Sequence, residues 1–151
     1  MPVKIPVRAI LLGVVAAAAV GMSAALVWLP RAGWSTNDVT TGASVDYPDL
    51  LSHVYDMPPD QTLQVTAAVA TRLPNWTVKE TDLASGVLRA EAKTPLGLFT
   101  DDVTVSAVAE GSYTKVIIRS HSRVGKADLG VNARNIRALQ AAMDRQLNRV
   151  S

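Results

Sequence analysis

Hydrophobic and polar positions alternate along this chain in three different rhythms. The first has no polar phase. Ala9 to Leu29, "AILLGVVAAAAVGMSAALVWL", carries no charge, and Ser23 is its one polar residue. A helix covering a soluble core would show a polar face; this one is apolar all round and has the roughly 20 residues a bilayer core requires. Lys4 and Arg8 precede it, whereas Arg31 is soon followed by Asp38, Asp46 and Asp49. The positive-inside rule therefore predicts a short cytoplasmic tail (1–8), a transmembrane helix (9–29) and the rest outside. A cleaved signal peptide is the rival reading, with small residues at Ser23-Ala24-Ala25, but the apolar run is long for one. Residues 30–50, rich in Gly, Ser, Thr, Asp and Pro, read as a linker.

The second rhythm has a period near 3.6. Leu63, Ala67, Ala70 and Leu73 make a helical stripe that opens after Pro58-Pro59 and is stopped by Pro74. Near the C-terminus Ile136, Leu139, Met143, Leu147 and Val150 make another, with Asn132 as the expected N-cap and Val131 and Ile136 as a staple about it.

The third has a period of two. "WTVKET" and "GVLRAEAK" alternate about the turn cluster 82–86, and Ser52–Asp56 is a short edge-strand candidate. "DVTVSAVAE" and "YTKVIIRSH" flank Gly111-Ser112, the composition of a type II′ hairpin turn. That turn puts Glu110 opposite Tyr113, so Val103, Val105, Ala107, Val116, Ile118 and Ser120 share one face. Asp102, Thr104, Arg119 and His121 share the other. Between the strand pairs lies "TPLGLFT", a loop with an apolar tip. Short connections give an antiparallel sheet, and two one-faced helices need it as a surface to cover. The expected fold is α+β, a two-layer sandwich of four to five antiparallel strands with two helices on one face, over 51–151.

Charge adds an asymmetry to this picture. From Ala32 to Gly111 four cations stand against eleven acids, a net of −7; from Ser112 to Ser151 eight cations stand against two acids, a net of +6. The two halves are expected to pair, with a basic surface for an anionic partner as the sharper alternative. The chain has no cysteine, which removes disulfides, thiolate metal sites and a lipid-modified cysteine. His53 and His121 are the only histidines and lack metal-ligand spacing, so no cofactor or metal is expected. Nucleic-acid binding is disfavoured by the topology. Trp76, within the sequon Asn75-Trp76-Thr77, is expected in the core or a hairpin.

The densest chemistry lies in "RSHSRVGKADLGVN", Arg119 to Asn132. Gly125 to Gly130 has phosphate-loop spacing, but Val131 and Asn132 stand where Lys and Ser/Thr are needed. Ser120, His121, Ser122 and Asp101-Asp102 supply the residue types of a triad, yet strand neighbours point to opposite faces. The reading that remains is a structural or binding signature. Gly125 and Gly130 would serve as turn glycines, Asp128 as a loop acceptor, and Arg119 or Arg123 would clamp Asp101, Asp102 or Asp128.

"TTGASVDYPDL", "LFTDDVTV" and "IRSHSRVGKADLGVNARNIRAL" together resemble the bacterial and plastid family called domain of unknown function 1499, over roughly Thr40 to Leu147. The matching positions are Asp101, Asp102, Arg119, Ser120, Ser122, Arg123, Gly125, Asp128, Gly130, Asn132 and Ile136. His121 stands where the family often has a small residue. The resemblance implies no assigned activity and a frequent place in membrane or envelope proteins. The expected function is a single-pass membrane protein, not an enzyme, whose outer domain binds a partner or supports the cell envelope. Its partners would be the membrane through 9–29 and an envelope protein or lipid. A small-ligand or lipid carrier, with "PLGLF" at the mouth of an apolar cleft, is the alternative, and a hydrolase using His121 and Asp102 the second.

Overall fold

The computed structural model describes residues 36–126 and 129–150. The apolar stretch 9–29 lies outside the described residues, as does Asp128. Among the described residues no helix is long and apolar enough to cross a membrane.

Among the described residues nine elements follow in chain order. They are β1 (Asp38–Thr40), β2 (His53–Tyr55), α1 (Pro59–Ala70), β3 (Trp76–Asp82), β4 (Val87–Lys93), β5 (Thr100–Glu110), β6 (Tyr113–Ser122), α2 (Val131–Asp144) and β7 (Arg149–Val150). All strand pairs are antiparallel, in the order β3-β4-β5-β6-β2-β7. β1 also pairs with β6, at Arg119 to His121, while β2 pairs with β6 at Thr114 to Val116. The fold is therefore α+β as the pattern predicts, but the sheet has seven strands rather than four to five.

The central hairpin keeps the register set by its turn. Glu110 faces Tyr113, Val105 faces Ile118 and Val103 faces Ser120. Gly111 supplies the positive φ of 64° that a II′ turn needs at its first position. Val103, Val105, Ala107, Val116, Ile118 and Ser120 are all buried on one face, under the helices. Leu63, Val69 and Ala70 of α1 and Ile136, Leu139 and Met143 of α2 fill the space above them. Trp76 is partly buried against this core.

Four local expectations are corrected. The described part of the stretch expected as a linker is packed: Val39, Thr41, Tyr47 and Leu50 are buried, and Thr41 caps the β1 register through its contacts with Ile118. Its turn-rich composition hides a three-residue strand whose neighbours are remote in sequence. β2 is no edge, because β7 pairs on its outer side. The last helix ends at Asp144 rather than running to Val150. Leu147 stays buried, but the chain turns back through Gln146–Asn148 so that Arg149 and Val150 pair with β2. Its N-cap is Gly130, at φ 78°, and not Asn132. That shift turns the Asn132 side chain into the protein and removes the basis for a Val131–Ile136 staple.

Candidate functional site

The strand ends at Lys93, Thr100 and Ser122 and the start of α2 meet at one end of the sheet. Two loops leave from there. Residues 94–99 form a tight loop, held by Thr94 N–H donating to Phe99 O at 3.1 Å, Gly97 N–H to Thr94 O at 2.7 Å and Phe99 N–H to Thr94 Oγ1 at 3.2 Å. Residues 123–130 bridge β6 to α2, with Gly125 and Gly130 at φ 93° and 78°, where glycine alone is unstrained. The first described residues join them: Asn37 Nδ2 donates to Gly125 O at 2.7 Å, and Ser122 N–H donates to Asn37 O at 2.8 Å.

Between these loops lies a cleft of about 400 Å³. Phe99, Val124, Leu129 and Val131 give it apolar walls, Asp101 and Ser122 are its buried lining, and the exposed Arg134 borders it. Its size lies within the usual range for small-molecule sites.

A polar network sits beneath. Asp101 is 3% exposed, with Ser122 Oγ donating to its Oδ1 at 2.7 Å and Asn135 Nδ2 to its Oδ2 at 2.8 Å. Asn132 Nδ2 donates to Ser122 Oγ at 2.9 Å and to Asn37 O at 3.0 Å, while its Oδ1 accepts from Ser120 Oγ at 2.6 Å. The network ties β5, β6 and Asn37, the residue before β1, to the first turns of α2. The positive end of the α2 dipole suits a buried carboxylate there. Burial of such groups is tolerable only because the partners are present.

The outer face of the sheet holds the arginines. Arg123 donates from Nε to both oxygens of Asp102, at 3.1 and 3.0 Å, and from Nη2 to Glu91 Oε1 at 2.6 Å. These hydrogen bonds hold the Asp102 and Glu91 carboxyls below the usual carboxylate range, against the opposite pull of desolvation. Arg119 Nε donates to Asp38 Oδ1 at 2.9 Å, a partner on β1 rather than the diagonal Asp102. With Arg137 on Asp49 and Lys115 near Glu110, the basic half does pair with the acidic half.

The structure thus divides the signature run between two faces. Asp101, Ser120, Ser122 and Asn132 meet under the helix; Asp102, Arg119 and Arg123 lie outside, and Gly125 and Gly130 shape the loop. His121 stands opposite Asp102 and Asp38 on the outer face, whereas Ser120 and Ser122 are buried on the inner one. Among the described residues no three His, Asp or Glu side chains gather to hold a metal.

Phe99 lines the cleft where "PLGLF" was expected; Asn135 and Arg134 also belong to this site, although the sequence pattern does not single them out. Asn135 was legible as an amide one turn from Asn132 on a helix. A second cluster lies elsewhere, at residues the pattern leaves unmarked. Tyr55 OH donates to Asp144 Oδ1 at 2.7 Å, and His53 Nδ1 lies 3.0 Å from the same oxygen. Burial, and then the Asp144 carboxylate, push the Tyr55 phenol well above its ordinary range. The signal was an acid at a helix C-terminus, where the dipole disfavours it.

The family model for a protein of unknown function, DUF1499, matches residues 30–143. The chain belongs to the DUF1499 family. No curated protein matches it in sequence. Among solved structures, TTHA0849 from Thermus thermophilus is similar at 12% identity and a TM-score of 0.45, covering 72% of this chain and 95% of that one. Protein CV1439 from Chromobacterium violaceum is similar at 14% identity and a TM-score of 0.38, covering 73% and 93%. The DUF1499 match includes β1, both cleft loops and all of the polar network.

Proposed function

We propose that this DUF1499 protein is a single-pass membrane protein, N-terminus in the cytoplasm, whose outer α+β domain is a binding module for a lipid-like amphipathic molecule. The observation that carries the reading is the cleft: apolar walls from Phe99, Val124, Leu129 and Val131, with the Arg134 guanidinium beside them. An apolar chain would lie against the walls and an anionic head against Arg134, which is the division of labour expected of a small-molecule site. Asp101 and Ser122 already satisfy each other, so they shape the bottom of the cleft instead of reacting.

Native mass spectrometry of the full chain, released from lipid nanodiscs, tests this. The wild type is expected to retain one lipid-like ligand per chain, and Val124→Trp, which fills the cleft from an exposed loop position, to lose it. Retention by both, or by neither, would count against the cleft as the binding site.

A further inference from the structure

The apolar residues around the cleft continue onto the surface. Leu96, Leu98, Phe99, Val124 and Leu129, all on the two loops at this end of the sheet, are 51–82% exposed. Exposed leucines and valines occurring singly need no explanation, but five clustered on two adjoining loops mark an interaction surface. The 94–99 loop is held closed by its own hydrogen bonds, so Leu96 and Leu98 are presented by a fixed backbone.

Two further observations choose the partner. Lys93, Lys126 and Arg134 are exposed at the bases of the same loops. The sequence of both loops holds one acid, Asp128, which lies outside the described residues. An apolar tip ringed by cations is the composition that enters the headgroup region of an anionic bilayer. The chain also enters the domain here, since Asn37 is hydrogen-bonded to Gly125 and Ser122. Seven residues separate Asn37 from Leu29, the end of the apolar stretch. Seven residues, even fully extended, reach under about 30 Å.

We propose that this five-residue apolar rim, with Lys93, Lys126 and Arg134, docks the domain onto an anionic lipid surface. The proposal deepens the membrane reading of this chain: an anchor at 9–29 would keep the rim within reach of a bilayer, and docking gives the cleft a mouth at the bilayer interface, where an amphipathic ligand is found.

The chain has no cysteine, so single cysteines can carry a fluorophore in the full-length protein. An environment-sensitive dye is placed at Leu98→Cys, at Val124→Cys, and at Leu83→Cys and Val108→Cys as exposed apolar controls elsewhere. A fifth, Ala18→Cys, reports the anchor separately. Each is reconstituted in vesicles of phosphatidylglycerol and phosphatidylcholine containing a spin-labelled quenching lipid. Docking predicts quenching at 98 and 124 with little at 83 and 108. Replacing Lys93 and Lys126 by alanine lowers the docked-to-undocked ratio about fivefold per lysine, as does removing the anionic lipid in larger measure. Absence of quenching at 98 and 124, or equal quenching at all four sites, overturns the proposal. So does crosslinking of Leu98→Cys to a second copy in place of lipid quenching, which would make the rim a self-association surface. Quenching at 98 and 124 without any at 18 would leave docking standing and remove the anchor. A cleft that retains no ligand in the mass measurement would leave this result untouched.

Discussion

Replacing Asp101 by alanine removes a carboxylate buried between β5 and α2, the one buried acid among the described residues. Ser122 Oγ loses its acceptor at 2.7 Å, and Asn135 Nδ2 loses the nearer of its two, at 2.8 Å, keeping Ser120 Oγ at 3.4 Å. Hydrogen bonds to a charged group contribute about 1.5–3 kcal/mol each, and their unmatched buried partners add to the loss. Against this stands the recovered cost of burying the charge, so a net destabilisation of about 3 kcal/mol follows. Asp101→Asn is the informative companion. Its amide oxygen can keep Asn135, but its NH₂ group then faces Ser122 and offers the Ser122 hydroxyl proton no acceptor. One hydrogen bond is lost rather than two, at about 1–1.5 kcal/mol. Urea unfolding followed by circular dichroism reads both. With a slope of roughly 1.5 kcal/mol per molar, the midpoint falls by about 2 M for alanine and by under 1 M for asparagine. Equal shifts for the two variants would refute the claim that Asp101 acts as a double acceptor. An alanine variant within about 0.5 kcal/mol of the wild type would refute its structural role altogether.

Three shorter predictions accompany it. Because Arg123 depresses the Asp102 and Glu91 carboxyls, their contribution is present above the ordinary carboxylate pKa of about 4 and is lost as pH falls through their lowered folded values. Unfolding at pH 7 and pH 3 should therefore show Arg123→Ala weaker than the wild type at pH 7, with the gap narrowing at pH 3; a gap independent of pH contradicts the pairing. Asp144→Ala leaves the Tyr55 hydroxyl, on a fully buried side chain, without its acceptor and should cost about 1–3 kcal/mol. The same change should speed amide exchange at Val54 and Tyr55, beside β7, and unchanged exchange there would speak against it. Gly130→Ala places a Cβ at φ 78°, 3.4 Å from the Tyr47 hydroxyl, and should cost about 1–2 kcal/mol in the same unfolding assay.

The sheet was legible where turn chemistry and alternation agreed. Gly111-Ser112 gave the β5–β6 register residue for residue, because a two-residue turn leaves no freedom. β1 and β7 were not legible. Each has two or three residues and pairs with a strand far away in sequence, and local pattern carries no record of that. The helix end at Asp144 failed for a related reason: Leu147 fits the helical stripe and is buried, but from a turn. In the signature run, the sorting of Asp101 and Ser122 from Asp102 and Arg123 followed from strand alternation. The inward role of Asn132 did not, because moving the cap by two residues turns the side chain from the helix end into the protein.

Whether the cleft above Asp101 holds a lipid-like molecule, as proposed, is decided by photocrosslinking. Membranes containing the full chain are irradiated with a diazirine fatty acid, and the labelled residues are mapped by peptide mass spectrometry. A lipid-like molecule in the cleft gives labelling at Phe99, Val124, Leu129 and Val131, saturable by excess unlabelled fatty acid, and abolished at Val131 by Val124→Trp. Labelling that is unsaturable, or that leaves Val131 unmarked while marking the outer sheet face, would contradict it.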